Sequence, residues 1–233
     1  MRLLGIDGCR AGWLYVGLDA DTGECTAGIL PAIEEILGLA PVPAVVAIDI
    51  PIGLTDSGPR LCEREARKLL GRPRSSSVFP VPVRPLLRAS TWEQACRLGS
   101  RIDGRKINRQ TWNIIPKIRE VDAFLDGYPE WRRKIHEVHP EVSFRAWNRG
   151  VAMAHAKKTE RGRAERQRLV VSHFHSAHPA ALASLPRGGW GKDDLLDAFA
   201  ALWTARRVAD GAAVAIPSEP TRDRLGLRME IVF

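Results

Sequence analysis

Two short apolar runs of this sequence each end on an aspartate. Asp7 follows the run LLGI, and Asp49 follows the run VVAI. Burying a carboxylate at the end of a strand costs free energy unless a cation pairs with it there. Two further aspartates, Asp194 and Asp197, lie three residues apart on one face of the most helical segment. If these elements converge, the four carboxylates form a site for a hard divalent cation, Mg²⁺ or Mn²⁺.

Each of these acids also has a structural interpretation. Asp7 taken alone is typical of a turn residue that binds its own backbone, and Asp194 could cap its helix. Asp197 lies inside the helix, where capping does not explain it. Two carboxylates about 4 Å apart repel by about 4 kcal/mol at an effective dielectric constant near 20. A helix that keeps such a pair beside its sheet-packing face indicates a bound cation, so we interpret the four aspartates jointly as metal ligands and catalytic residues.

Glu137 is a possible fifth catalytic acid. It lies between His136 and His139 in a candidate strand. For the two histidines a role in the site and a structural role are equally open.

The elements that must position these acids follow a β-β-β-α-β order. Alternating and continuous apolar runs predict the strands, and turn residues separate them. The fourth strand is apolar throughout, as in a central, parallel strand. We therefore expect an α/β fold with a mixed five-stranded sheet flanked by helices. The predicted strands are residues 2–7, 13–18, 24–30, 42–49 and 134–138, with short helices at 31–37 and 140–147 and a final edge strand within 226–233.

A basic segment at about residues 52–134 interrupts this order. We interpret it as a largely helical insertion within a single domain that spans residues 1–233. The net charge of +8 and pI of about 9.8 favour a polyanionic partner, nucleic acid first. An arginine-rich proteome would explain the same excess. The predicted phosphate and nucleic-acid contacts are Arg10, Arg64, Arg67, Lys68, Lys157 and Lys158.

Several classes of protein are disfavoured. The four cysteines form no Cys-x-x-Cys pair, which argues against a zinc ribbon or a secreted disulfide framework. The sequence contains neither a P-loop nor a Gly-x-Ser-x-Gly elbow. No basic-then-apolar leader and no apolar stretch approaching 18 residues is visible, so we expect a soluble cytoplasmic protein with no membrane partner.

With its β-β-β-α-β opening and its Asp-x-x-Asp-Ala helix, the chain resembles the ribonuclease-H-like nucleases, and the helix is most similar to that of RuvC-type junction resolvases. Nearly the whole chain is similar to the family called domain of unknown function 429, described as predicted nucleases of this fold. The resemblance implies a ribonuclease-H-like sheet and an acidic cluster of Asp7, Asp49, Asp194 and Asp197. Asp49 stands where the resolvases tend to use Glu. The similar stretches are 5–13, 48–54, 62–67, 110–113 and 137–141.

The leading functional hypothesis is a nuclease with two Mg²⁺ or Mn²⁺ ions about 3.5–4 Å apart. An ATP-dependent phosphotransferase of the actin-like and sugar-kinase group is the alternative, although no duplicated half is visible. A non-catalytic binding protein on the same fold is the third. The sequence leaves open DNA or RNA and the oligomeric state, a homodimer included.

Overall fold

A five-stranded mixed sheet forms the centre of the protein in a computed structural model that describes residues 1–233. The strand order is β3-β2-β1-β4-β5, with β1–β2 and β2–β3 antiparallel and with β4 and β5 parallel to β1. This is the ribonuclease-H-like arrangement, and it confirms the predicted fold. The strands are β1 (Arg2–Cys9), β2 (Gly12–Asp19), β3 (Cys25–Leu30), β4 (Val45–Ile48) and β5 (Ile135–Glu137).

Helices flank the sheet, and the segment between β4 and β5 is largely helical as predicted. None of the helices has the length and apolar character needed to cross a membrane. The α-helices are α1 (Leu61–Leu70), α2 (Trp92–Asp103), α3 (Arg109–Gly127), α4 (Pro140–Trp147), α5 (Glu160–Phe174), α6 (Ala177–Ser184) and α7 (Lys192–Ala209). Four 3₁₀ helices span Ile33–Gly38, Arg74–Ser77, Arg84–Arg88 and Pro129–Arg133.

The C-terminal strand is not an edge of the main sheet, which corrects the prediction for residues 226–233. Instead, β6 (Ala215–Ile216) and β7 (Ile231–Val232) pair as a separate antiparallel sheet. Val214 and Phe233 exchange both of their backbone hydrogen bonds at its end, 2.8 and 2.9 Å long. The backbone groups of β7 thus form their strand-pairing hydrogen bonds with β6, and β7 does not pair with the edge strand β5.

The alternation of β1 and β4 decides which side chains meet α7. Leu3 of β1 and Ala47 of β4 belong to the core cluster that contains α7, while their neighbours in each strand pack towards α3. Alternation places Asp7 on the α7 face with Leu3. The parallel register pairs Ile6 with Ile48, and one residue further it sets Asp49 beside Asp7. Adjacent strands lie about 4.8 Å apart, so two carboxylates meet on one face.

The backbone of α7 lies directly against β1 because Gly5 has no side chain. A Cβ atom at Gly5 would lie 2.1 Å from the backbone N of Leu202 and 2.2 Å from the carbonyl O of Ala198. Buried alanines on α7 remove bulk from the same interface. This close packing brings the first turns of α7 to the carboxyl end of β1, where Asp7 lies.

Candidate active site

The four aspartates lie together at the carboxyl ends of β1 and β4, beside the start of α7. Asp7 is 7% exposed and Asp197 is 1% exposed, while Asp49 and Asp194 are half-buried. Burial, and then the charges of Asp49 and Asp197, raise the pKa of Asp7 well above its usual value. Burial raises the pKa of Asp49 to about 7, with Asp197 adding to the rise. The convergence agrees with the spacing in the sequence, and the role of these acids as metal ligands stays a prediction.

Lys157 is the basic residue that forms an ion pair with this cluster. Its Nζ donates to Oδ2 of Asp197 over 2.6 Å, although 40% of the lysine side chain is exposed. The charge of Asp197, and then those of Asp7 and Asp49, raise the pKa of Lys157. Oδ1 of Asp197 is buried and has no hydrogen-bond partner. Lys157 was predicted as a phosphate contact; it lies in an ion pair with one of the acids, and its contact with phosphate stays a prediction.

Asp194 combines the two interpretations that the sequence left open. Its Oδ2 accepts a hydrogen bond of 2.8 Å from the backbone N–H of Gly191, so it caps α7. Burial also raises its pKa, and the charge of Asp197 adds to the rise. Asp194 is thus a capping residue whose carboxylate lies beside the other acids.

Glu137 lies beside the four aspartates and is engaged in a separate ion pair. It pairs with Ile48 in the β4–β5 register, it lines the same cleft as Asp7 and Asp49, and its charge adds to the rise in the pKa of Asp49. Arg60 donates to both of its carboxylate oxygens over 2.8 and 2.6 Å, and the backbone N–H of Ile52 donates over 2.6 Å. Glu137 is thus held in a buried ion pair with Arg60, and its role as a fifth catalytic acid stays a prediction.

Cys62, Glu63 and Glu137 form a second group with metal-ligand atoms, all within 4.8 Å of one another. Arg60 already binds both carboxylates and offsets one of their two charges, because its Nε donates to Oε1 of Glu63 over 2.6 Å in addition to its bonds to Glu137. Burial raises the pKa of the Cys62 thiol, which disfavours the thiolate that a metal would require. This group is best explained as the network that fastens the start of α1 to β5.

A cleft of about 470 Å³ opens beside the acids. Of the six predicted phosphate contacts, Lys157 and Lys158 line it. Arg10 lies in the exposed turn after β1, and Arg64 and Lys68 lie on the exposed side of α1. The remaining residue, Arg67, donates its Nε to the carbonyl of Val78 over 3.0 Å, a bond within the insertion.

Arg74, Lys117 and His139 also line the cleft, and the first two lie within the segments 60–74 and 101–119 that the sequence predicts to hold a phosphate backbone. Nε of Arg74 is buried without a partner. Nζ of Lys117 donates to the carbonyl of Gly12 over 2.5 Å and lies 4.1 Å from the ring centre of Trp13. No local pattern in the sequence marks Arg74 or Lys117, since the insertion is rich in basic residues throughout.

His139 follows β5 and begins α4. Its Nε2 lies 3.3 Å from the carbonyl O of Ser77, while its Nδ1 is buried without a partner. Burial lowers the pKa of His139 to about 4, so the ring is neutral at physiological pH. The sequence signal for this residue was its place beside the end of a predicted strand.

The fold and the acidic cluster together define a ribonuclease-H-like α/β protein with a candidate active site at the carboxyl ends of β1 and β4. Over residues 5–222 the chain matches the family described as "Protein of unknown function (DUF429)". The protein belongs to this family, which confirms the resemblance seen in the sequence. No curated protein and no solved structure matches the chain.

Proposed function

We propose that this protein is a nuclease that depends on a divalent metal ion and hydrolyses phosphodiester bonds of nucleic acid. We also propose that it acts in the cytoplasm, as expected from the sequence. The observation that carries the proposal is the buried Oδ1 of Asp197, which has no partner although it lies among three further carboxylates. Buried polar atoms normally have a hydrogen-bond partner. Because Lys157 already pairs with Oδ2 of Asp197, a metal ion would supply the partner that Oδ1 lacks.

The donor set suits Mg²⁺ or Mn²⁺. All four candidate ligands offer carboxylate oxygens, the ligand type that hard cations prefer. The four carboxylates exceed the single ammonium that Lys157 supplies to them, so the cluster favours a further cation. Asp7, Asp49 and Asp197 would hold it, with Asp194 beside them. Such an ion, when bound, polarises a phosphoryl oxygen and lowers the pKa of a bound water.

The chain itself supplies the phosphate contacts of the proposed reaction. Arg74 and Lys158 line the cleft, and the planar guanidinium of Arg74 suits a phosphate with two acceptor oxygens. His139 is neutral and lines the same cleft, where it adds no charge to the phosphate contacts. Phosphate contacts carry little sequence information. We therefore propose recognition of nucleic-acid backbone and not of particular bases.

Labelled single-stranded, duplex and branched DNA and RNA, each with Mn²⁺, Mg²⁺ or EDTA, test this function. We expect cleavage of at least one form that needs the metal. Asp7→Asn should reduce it by at least about 100-fold, because loss of a residue that only supports a metal ligand already costs about 10–100-fold. Asp210→Asn is the matched control, since Asp210 lies just beyond the far end of α7 and pairs with Arg206.

Hydrolysis of ATP is measured in parallel with the same variants. Cleavage of no nucleic acid, together with ATP hydrolysis that Asp7→Asn abolishes, would replace the nuclease by a phosphotransferase. Absence of both activities would leave a binding protein on the same fold.

A further inference from the structure

The loop before α5 is held rigidly, and it carries Lys157. The carboxylate of Glu165 accepts hydrogen bonds from the backbone N–H groups of Ala154 and His155, 2.7 and 3.0 Å long. The guanidinium of Arg166 donates to the carbonyl of His155 over 3.1 Å. Two consecutive residues of α5 thus fix the two residues that lie two and three positions before Lys157.

Arg166 is itself anchored. It is 1% exposed, and its Nε and terminal nitrogen donate to the carboxylate of Glu141 on α4 over 2.9, 2.6 and 2.7 Å. Gly162 lets the loop lie against α5, because a Cβ atom there would be 2.0 Å from the carbonyl O of Ala156. Lys157 is therefore presented by a preorganised segment and is not a freely moving surface lysine.

Asp197 offers one oxygen to Lys157 and has one oxygen left. Nζ of Lys157 is 2.6 Å from Oδ2, and Oδ1 is the buried atom without a partner. In a site with two metal ions about 3.5–4 Å apart, both ions need carboxylate oxygens from the same small cluster. Here one cationic position beside Asp197 is already taken by an ammonium group.

We propose that the acidic cluster binds a single divalent ion and that the ammonium of Lys157 occupies the place of a second one. This inference rests on the proposed metal site and replaces the pair of ions expected from the sequence. The ion would be held by Asp7, Asp49 and Oδ1 of Asp197. Lys157 supplies the second fixed positive charge.

The ammonium group of Lys157 differs chemically from the metal ion whose place it takes. An ammonium group has three donor hydrogens, and Asp197 accepts one of them. The other two are available to a phosphate oxygen, so Lys157 is a positioning group for the substrate as well as a counter-ion. It does not act as a Lewis acid, so activation of water falls to the single ion.

Titration of the metal-free protein with Mn²⁺ tests the stoichiometry. Calorimetry and the electron paramagnetic resonance signal of free Mn²⁺ should both give one ion per wild-type chain. Lys157→Met keeps the length of the side chain and removes its charge. It should admit a second ion, or bind the first at least about tenfold more tightly, because a competing positive charge has gone. Lys106→Met is the matched control: this lysine is exposed, does not line the cleft, and its loss should leave Mn²⁺ binding at the wild-type level.

Three outcomes would overturn the inference: two ions in the wild-type protein, none at millimolar Mn²⁺, or equal binding by Lys157→Met and Lys106→Met. The wild-type stoichiometry decides the first two without any variant, and melting curves with and without Mn²⁺ show whether Lys157→Met is folded. One bound ion without cleavage of any nucleic acid would contradict only the proposed function. Cleavage with two bound ions would contradict only the inference.

Discussion

At the scale of single residues, Asp7 and Asp49 make the metal-free protein sensitive to pH. Their pKa values are raised in the folded state, that of Asp49 from 3.8 to about 7. A carboxyl group with a raised pKa contributes most to stability while it is protonated, below its unfolded-state pKa. That contribution is lost as the pH rises towards the folded-state pKa. For Asp49 the loss falls between about pH 4 and pH 7, and for Asp7 the dependence on pH has the same sign.

Asp49→Asn should therefore stabilise the metal-free protein at pH 8. Without metal, we expect a melting temperature above that of the wild type by about 2–4 °C for each kcal/mol of relieved repulsion and burial cost. The difference should vanish below about pH 4, where Asp49 is protonated in both states. Calorimetric melting in EDTA across this range measures it, with Asp210→Asn as the control.

In millimolar Mn²⁺ the wild type should become more stable than Asp49→Asn, since an ion that binds only the folded protein raises the melting temperature. The melting temperature of the wild type should then rise by more than that of Asp49→Asn. Equal responses of the two proteins to Mn²⁺ would contradict the metal site.

At the scale of elements, the contact between β1 and α7 sets the positions of the acids. Gly5→Ala would place a methyl group against the backbone of α7, at Ala198 and Leu202. Backbone atoms cannot relieve such a clash by a change of rotamer, as a side chain can. Overpacking of this kind costs about 1–3 kcal/mol and occasionally more. We expect the melting temperature to fall by about 2–4 °C for each kcal/mol.

Gly5→Ala should also weaken Mn²⁺ binding, because Asp197 moves with α7 while Asp7 stays with β1. Gly38→Ala is the matched control, since a Cβ atom there meets nothing within 4 Å. A Gly5→Ala protein with wild-type melting and wild-type Mn²⁺ affinity would show that the helix can shift without disturbing the site.

At the scale of the whole molecule, the net charge of +8 is spread over many elements, and only part of it lines the cleft. Affinity for nucleic acid should fall with salt by about 0.7–0.9 log units per phosphate contact for each log unit of salt. Arg74→Ala and Lys158→Ala should each reduce this slope by about that amount. Fluorescence anisotropy at several salt concentrations measures it.

Arg206→Ala is the control for this prediction, because it removes the same charge about 18 Å along α7 from Asp194. It should leave the slope close to that of the wild type. Variants of Arg64 and Lys68 in the same titration test whether the exposed side of α1 extends the interface, as the sequence predicts. No salt-dependent binding of any DNA or RNA form would contradict a nucleic-acid partner.

The sequence by itself determined the succession of the strands along the chain, the bounds of α4, and the two aspartates near the carboxyl ends of β1 and β4. In the structure β1 continues two residues beyond Asp7, to Cys9. These features are local, because the alternation of apolar residues in strands and the periodicity of helices can be recognised in stretches of about ten residues. The spacing of Asp194 and Asp197 is local in the same way. A β-β-β-α-β order with acids at these points was enough to predict the sheet and the convergence of four carboxylates.

Only the tertiary structure decided which charges pair. Lys157 and Asp197 are 40 positions apart, and Arg60 and Glu137 are 77 apart, so no local pattern relates them. The neighbours of Glu137 depend on the register between β4 and β5, since a shift of one residue would turn its side chain to the other face of the sheet. Long basic side chains have many rotamers, and their partners are set by the packing of distant elements. The sequence therefore predicted where the acids gather, and the fold decided which cations meet them.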